Sequence, residues 1–190
     1  MRRALSVLFV SIVVLGAAGC GGDDDEGSGS GDASTSGPTT TVPRGEVITY
    51  DDLSADHVGN RVDYAQTPPV GGNHAEVWQT CGFYDQPIVS EAGVHSLEHG
   101  AIWITFRPDL PADQVALIQQ YADQPDTLAS PWADGELPAP VVLSAWGAQI
   151  QLDSLPDPRA DAFITEYRKA LSAPEPNAPC HGGTTFTEDG

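Results

Sequence analysis

The clearest strand in this sequence is Ala101-Ile-Trp-Ile-Thr-Phe106, which is dominated by β-branched and aromatic side chains. Arg107-Pro108 ends it, because proline cannot donate to a ladder of backbone hydrogen bonds. A helix is predicted next, with Pro111 in its first turn. Its apolar face is formed by Val115, Ile118, Tyr121 and Ala122.

The C-terminal half predicts a hairpin and a second helix. Two strands, over 141–146 and 149–152, are joined by a short link at Gly147. The helix begins at Asp157-Pro158, a capping residue followed by a first-turn proline. Its apolar stripe consists of Ala160, Phe163, Ile164, Tyr167 and Leu171.

The region over 46–94 is harder to assign, because Pro- and Gly-rich loops dominate it. Short strands are expected near Val58 to Tyr64. The order of elements predicts an α+β fold. We expect a single compact domain with a small, mainly antiparallel sheet, two packed helices and long N-terminal loops.

The N-terminal residues have the organisation of an export signal. Two arginines precede an apolar run over 5–15, and Ala17-Ala18-Gly19 stands directly before Cys20. The run is about half of the roughly 20 residues that a membrane-spanning helix needs. Small residues before a cysteine resemble the lipobox of bacterial lipoproteins. They predict a signal peptide over 1–19 and lipid on Cys20; the alternative is a secreted protein cut near Ala18.

The composition after the signal divides the chain into a tether and a domain. Residues 20–45 are rich in Gly, Ser, Thr and Asp and contain almost nothing apolar, which predicts a disordered acidic tether. A globular domain over 46–190 would then be lipid-anchored at the extracytoplasmic face of the cell membrane. It carries 22 acidic residues against 5 basic ones, a net charge of −17. This charge excludes nucleic acid as a partner and leaves the N-terminal lipid as the only membrane contact.

Two cysteines remain beyond the predicted anchor, Cys81 and Cys180. In an oxidising compartment two thiols most often pair, so we predict a disulfide between them. It would pin the Pro-rich tail over 173–179 to the domain. A redox-active pair is less favoured, because the short Cys-x-x-Cys spacing is missing.

A histidine cluster is the main candidate for chemistry. His95 and His99 are four residues apart, so they share one side of a helix or of a strand. Imidazoles that converge in this way can bind Zn²⁺ or Cu²⁺, and His74 follows a Gly-Gly loop that lets it approach as a third ligand. Glu98 or a water would complete the shell. The competing interpretation is that these histidines brace a loop against the sheet.

Two catalytic interpretations are weaker. The stretch His95-Ser-Leu-Glu98-His99 matches H-x-x-E-H, in which two histidines bind zinc and the glutamate activates water. That motif needs a long helix, whereas glycines bracket this stretch, and its third ligand would be a remote acid such as Glu166 or Glu175. A blue-copper site commonly uses a methionine, and the only one is Met1. An enzyme is therefore the less favoured class.

A non-catalytic binding module for an envelope component or a protein partner is the main alternative to a metal site. Aromatic side chains anchor interfaces. Trp103 and Trp146 fall in predicted strands and belong to the core. The candidate contact residues are therefore the loop aromatics Trp78, Tyr84 and Trp132.

Three segments, over 62–74, 77–84 and 94–105, together resemble the bacterial domain-of-unknown-function family 3105. Its members are largely actinobacterial exported or membrane-anchored proteins. The similarity extends from about Gly59 to Cys180. The resemblance implies the limits of the domain and leaves its activity open. It also implies that the family pattern includes His74, Cys81, His95, Glu98 and His99, but not His57 or His181.

Overall fold

The structure is a computed structural model that describes residues 44–188. The predicted signal peptide, Cys20 and the tether up to residue 43 lie outside the described residues. Within the described range, no helix is long and apolar enough to cross a membrane. Arg44 and Gly45, the last residues of the predicted tether, already contact the domain. The Gly45 N–H donates to the carbonyl of Gln151 at 2.8 Å, and Arg44 forms an ion pair with Asp153.

Over residues 44–188 the chain forms six strands and three helices. In chain order they are β1 (Val47–Thr49), β2 (Gly82–Phe83), α1 (Ser90–Glu98), β3 (Ile102–Phe106), α2 (Ala112–Ala122), β4 (Thr127–Pro131), β5 (Val141–Ala145), β6 (Ala148–Leu152) and α3 (Pro158–Tyr167). The strands make one sheet in the order β1-β6-β5-β3-β4-β2. Pairing is antiparallel from β1 to β3 and parallel from β3 through β4 to β2. The predicted α+β fold with a mainly antiparallel sheet is confirmed.

The sheet has a hydrophobic cluster on each face. Alternate residues of a strand point to opposite faces. Ile102 and Ile104 of β3 therefore belong to the cluster that includes residues of α2 and α3. Trp103 between them belongs to the cluster that includes residues of α1. The sheet thus lies between two helices on one side and α1 on the other.

The local signals in the C-terminal half are confirmed. Gly147, at φ +71°, lies in the two-residue turn between β5 and β6, a conformation that glycine adopts without steric cost. The Asp157 side chain caps α3 by accepting a hydrogen bond from the Arg159 N–H at 2.9 Å. Arg168 is extended, so α3 ends at Tyr167. Leu171 lies beyond that end and is 93% exposed, so placing it in the apolar stripe was wrong.

The structure also differs from the prediction in its number of elements. There are three helices instead of two, because Ser90–Glu98 forms α1 despite the internal Gly93. A Cβ on Gly93 would lie 2.8 Å from the Trp103 ring, so close packing against β3 explains the glycine. The strand expected near Val58 to Tyr64 does not form. His57, just before it, makes only an isolated bridge with His74.

Helix α1 is buried along its whole length. Trp103 of β3 packs on one side of it. On other sides, backbone N–H groups of Ala75 and Gln79 donate to the carbonyls of Glu91 and Ala92 at 3.3 and 2.9 Å. Near its C-terminus, the N–H of Glu175 donates to the carbonyl of Glu98 at 3.0 Å. Polar side chains on this helix are therefore enclosed by protein.

Candidate metal centre

The last turn of α1 provides three side chains of the cluster. His95 and Glu98 lie in the helix, His99 is its C-cap, and all three are buried. Ser96 fixes the neighbouring loop, because its hydroxyl donates to the carbonyl of Gln79 at 2.6 Å. The i, i+4 spacing brings the Nε2 atoms of His95 and His99 to 3.0 Å from each other.

Two loops bring further histidines to this turn. His74 follows Gly71-Gly72 and is completely buried. Its backbone N–H donates to the carbonyl of Asp56 at 3.0 Å, and its carbonyl accepts from the Val58 N–H at 2.7 Å. This bridge places His57 beside His74, with ring centroids 4.8 Å apart. His57 belongs to the cluster because a backbone bridge between distant residues positions it, and no pattern in the sequence pointed to it.

The potential ligand atoms form two overlapping sets. In the first, atoms of His57, His74, His95 and Glu98 all lie within 4.8 Å of one another. Glu98 Oε2 is 3.0 Å from Nε2 of His74 and 3.8 Å from Nε2 of both His57 and His95. The second set consists of Glu98, His99 and Glu175, within the same limit. The residues predicted as ligands, His74, His95, Glu98 and His99, are thus brought together around α1.

The three buried imidazoles share one hydrogen-bonding pattern. Nδ1 of His74, His95 and His99 lies 2.7–2.8 Å from a backbone carbonyl, those of Gly72, Ala75 and Pro179 respectively. A carbonyl can only accept, so each Nδ1 carries the hydrogen. A neutral ring then presents its Nε2 lone pair to the cluster. Histidines that bind metal ions are oriented in this way by their outer hydrogen bonds.

Burial keeps two of these rings neutral. Desolvation lowers the pKa of His95 to about 4, and it also lowers the pKa of His99. Near pH 7 their facing Nε2 atoms are therefore two lone pairs 3.0 Å apart. A cation between these atoms would remove the repulsion.

The separations suit a transition-metal ion. For bonds of about 2.0–2.1 Å, two nitrogens at tetrahedral angles are about 3.3 Å apart. In the first set, the 3.0 Å separation of Glu98 Oε2 from His74 Nε2 corresponds to an angle of about 94° at such an ion, and its 3.8 Å separations from His57 and His95 correspond to about 136°. The buried cluster of histidines and Glu98 could therefore hold a metal ion.

The three aromatic residues predicted to contact a partner, Trp78, Tyr84 and Trp132, lie in different surroundings. Trp78 packs over the cluster, with its ring centroid 5.0 Å from that of His99. The Tyr84 hydroxyl donates to the carbonyl of Thr80 at 2.6 Å. Trp132 is only 8% exposed and packs near Trp103, because it continues directly from the buried strand β4. Trp132 is therefore a core residue and not a surface contact.

The predicted disulfide between Cys81 and Cys180 is present, with Cα atoms 5.4 Å apart. It fixes the tail that carries Pro179 and Glu175. Of the two remote acids considered for a third ligand, Glu175 is the one near the cluster, with Oε2 3.8 Å from His99 Nε2. The tail thus contributes both a hydrogen-bond acceptor and a carboxylate.

Fold and site together define a small α+β domain with a buried histidine and glutamate cluster on one face of its sheet. The chain belongs to the family described as "Protein of unknown function (DUF3105)", whose model matches residues 57–182. The resemblance inferred from the sequence is confirmed. The matched range begins at His57 and includes His181, so it is slightly wider than expected. No curated protein and no solved structure matches the chain.

Proposed function

We propose that this protein is an exported lipoprotein whose domain binds a divalent transition metal, Zn²⁺ or Cu²⁺, through this cluster. The observation that carries the proposal is the common orientation of three buried imidazoles. Each has Nδ1 bonded to a carbonyl and Nε2 directed at the other ligands. A simple structural brace would not place the Nε2 lone pairs of His95 and His99 against each other at 3.0 Å.

The donor atoms favour particular metals. Imidazole nitrogen suits Zn²⁺ and Cu²⁺, whereas Mg²⁺ and Ca²⁺ prefer shells made of oxygen. The one sulfur pair in the family range is bonded as a disulfide, so thiolate ligands that select Cu(I) are not supplied by Cys81 or Cys180. His74, His95 and Glu98 are the core ligands. His57, with 46% of its side chain exposed, supplies the fourth position of the first set.

The location is part of the proposal. The small-residue run before Cys20 supports lipid attachment and an extracytoplasmic position. A disulfide in the domain agrees with an oxidising compartment. A membrane contact through the N-terminal lipid alone fits the net charge of −17 over residues 46–190.

Metal content of the full chain tests the proposal. The protein would be purified in detergent from its native envelope, analysed for elements, then stripped and titrated calorimetrically with Zn²⁺ and Cu²⁺. We expect tight binding that weakens as the pH falls, because ligation requires neutral imidazoles. His74→Ala and His95→Ala should lose this binding. The control His181→Ala changes an exposed histidine outside both ligand sets and should bind as wild type does.

Two results would contradict the metal assignment. One is a purified chain without transition metal that also fails to bind either ion after stripping. The other is equal affinity in wild type and in folded His95→Ala, with folding checked by circular dichroism. Either would leave the histidines as a structural brace.

A further inference from the structure

We propose that the cluster is a two-ion centre in which the Glu98 carboxylate bridges the ions. His57, His74 and His95 hold the first ion, and His99 and Glu175 hold the second. This inference rests on the proposed metal-binding function and deepens it. It assigns a role to Glu175, which a single-ion site does not use.

The first set already fills the shell of one ion. Four donors are the usual number for Zn²⁺ in proteins, and His57, His74, His95 and Glu98 provide four that are mutually close. His99 Nε2 is not within 4.8 Å of every member of this set. It falls in a separate set with Glu175, whose Oε2 lies 3.8 Å from it. Glu98 is the only member of both sets.

Contacts with the protein also position the two residues of the second set. His99 is oriented by its Nδ1 bond to the Pro179 carbonyl at 2.8 Å. Glu175 is held at its backbone on both sides. Its N–H donates to the Glu98 carbonyl and its own carbonyl accepts from the Ala178 N–H, both at 3.0 Å. The disulfide at Cys180 closes this tail, so the backbone that carries the 60% exposed Glu175 carboxylate is held beside His99.

A second ion would give the His99 lone pair a partner of its own. A single ion bound to the first set would occupy the lone pair of His95 and leave that of His99 facing it at 3.0 Å. A second ion gives His99 its own partner, and a bridging carboxylate screens two ions about 3.5–4 Å apart. The nearby positive charge that would repel the ions is the Lys169 ammonium, whose Nζ lies 2.9 Å from the His99 carbonyl oxygen. The Asp126 carboxylate, 3.1 Å from Nζ, offsets this charge.

Copper stoichiometry and magnetism test this arrangement. The stripped full chain would be loaded with Cu²⁺, desalted against a weak chelator, and analysed for copper content and for spins by electron paramagnetic resonance. We expect about two ions per chain with less than about one detectable spin, because ions bridged by a carboxylate at this separation couple magnetically. Glu175→Gln should fall to about one ion and recover about one uncoupled spin. The matched control Glu166→Gln, an exposed glutamate on α3, should behave as wild type.

The outcomes separate this inference from the broader proposal. One ion in wild type, retained in Glu175→Gln, would overturn the two-ion centre and leave a single-ion site. Two ions with two uncoupled spins, or two ions retained in Glu175→Gln, would also overturn it, because the second ion would then lie elsewhere. No bound copper in wild type would overturn both the centre and the metal-binding function.

Discussion

Acid should destabilise the metal-free domain through His95, and the size of the effect follows from its burial. The pKa of His95 is lowered from its ordinary value near 6.5 to about 4. Between these values the unfolded chain binds a proton that the folded chain excludes, so the free energy of unfolding falls with the pH. Stability is therefore complete above pH 6.5 and declines progressively toward pH 4.

The loss can be expressed as a free energy. Each pH unit within this window costs about 1.4 kcal/mol, so a change from pH 7.5 to 5 should cost on the order of 2 kcal/mol from His95. The pKa of His99 is lowered too, which acts in the same direction. The pKa of the Asp157 carboxyl is also lowered, so its stabilising effect is lost only below about pH 4. It therefore does not affect the change between pH 7.5 and 5.

Urea unfolding of the full chain, followed by tryptophan fluorescence in the presence of a chelator, measures this effect. His95→Gln should reduce the difference in unfolding free energy between pH 7.5 and 5 by about 2 kcal/mol relative to wild type. His181→Gln should leave the difference unchanged, because that histidine is exposed. If His95→Gln does not fold, the titration of His95 in the wild type by nuclear magnetic resonance replaces it. A His95 that protonates near pH 6.5, or equal pH dependence in both variants, would refute the reasoning.

Three further predictions concern packing, covalent structure and location. Gly93→Ala should destabilise the domain by about 1–3 kcal/mol, since its Cβ would meet the Trp103 ring at 2.8 Å and this overpacking outweighs a helix-propensity gain of at most about 1 kcal/mol. Replacing Cys81 and Cys180 together by alanine should lower the unfolding free energy by up to about 4.7 kcal/mol, because the disulfide closes a loop with a sequence separation of 99 residues. Cys20→Ser should release the protein from the membrane fraction or leave the signal peptide attached, as measured by fractionation and the mass of the N-terminus.

Each of these has a control or a contrary result. Gly59→Ala, where no atom lies within 4 Å of the added Cβ, should be close to neutral in the same denaturation assay. Equal stability of the reduced and oxidised wild type would contradict the role given to the disulfide. A Cys20→Ser protein that fractionates and migrates as wild type does would contradict lipidation at Cys20.

The sequence predicted the elements whose signals are local. β3 is a run of β-branched and aromatic residues, and Asp157-Pro158 combines a capping side chain with a first-turn proline, so both were located closely. β4 was missed because it consists mostly of small residues and ends in Pro131, yet all five residues are buried between parallel neighbours. α1 was missed because a helix enclosed on all sides shows no apolar stripe.

For the candidate site, too, the sequence predicted the local part and missed the long-range contacts. The spacing of His95 and His99 is local, and it predicts that they share one side of either regular structure. His57 joins them only through the backbone bridge to His74, and no pattern in the sequence indicates that bridge. Of the two remote acids considered, Glu166 and Glu175, only Glu175 is near the cluster, because the disulfide holds the tail that carries it. Long-range contacts of this kind depend on the folded chain.

The cluster draws on residues from position 57 to position 179, which is nearly the whole matched range of the family. A fragment limited to α1 and its C-cap would have His95 and His99 but neither of the carbonyls that orient them. During synthesis, the segment with Glu175 and Pro179 emerges after every helix and strand of the sheet. The proposed ion, which needs the complete cluster, would therefore bind only after the last segment has docked. Its presence would then distinguish complete molecules from unfinished or proteolytically shortened ones.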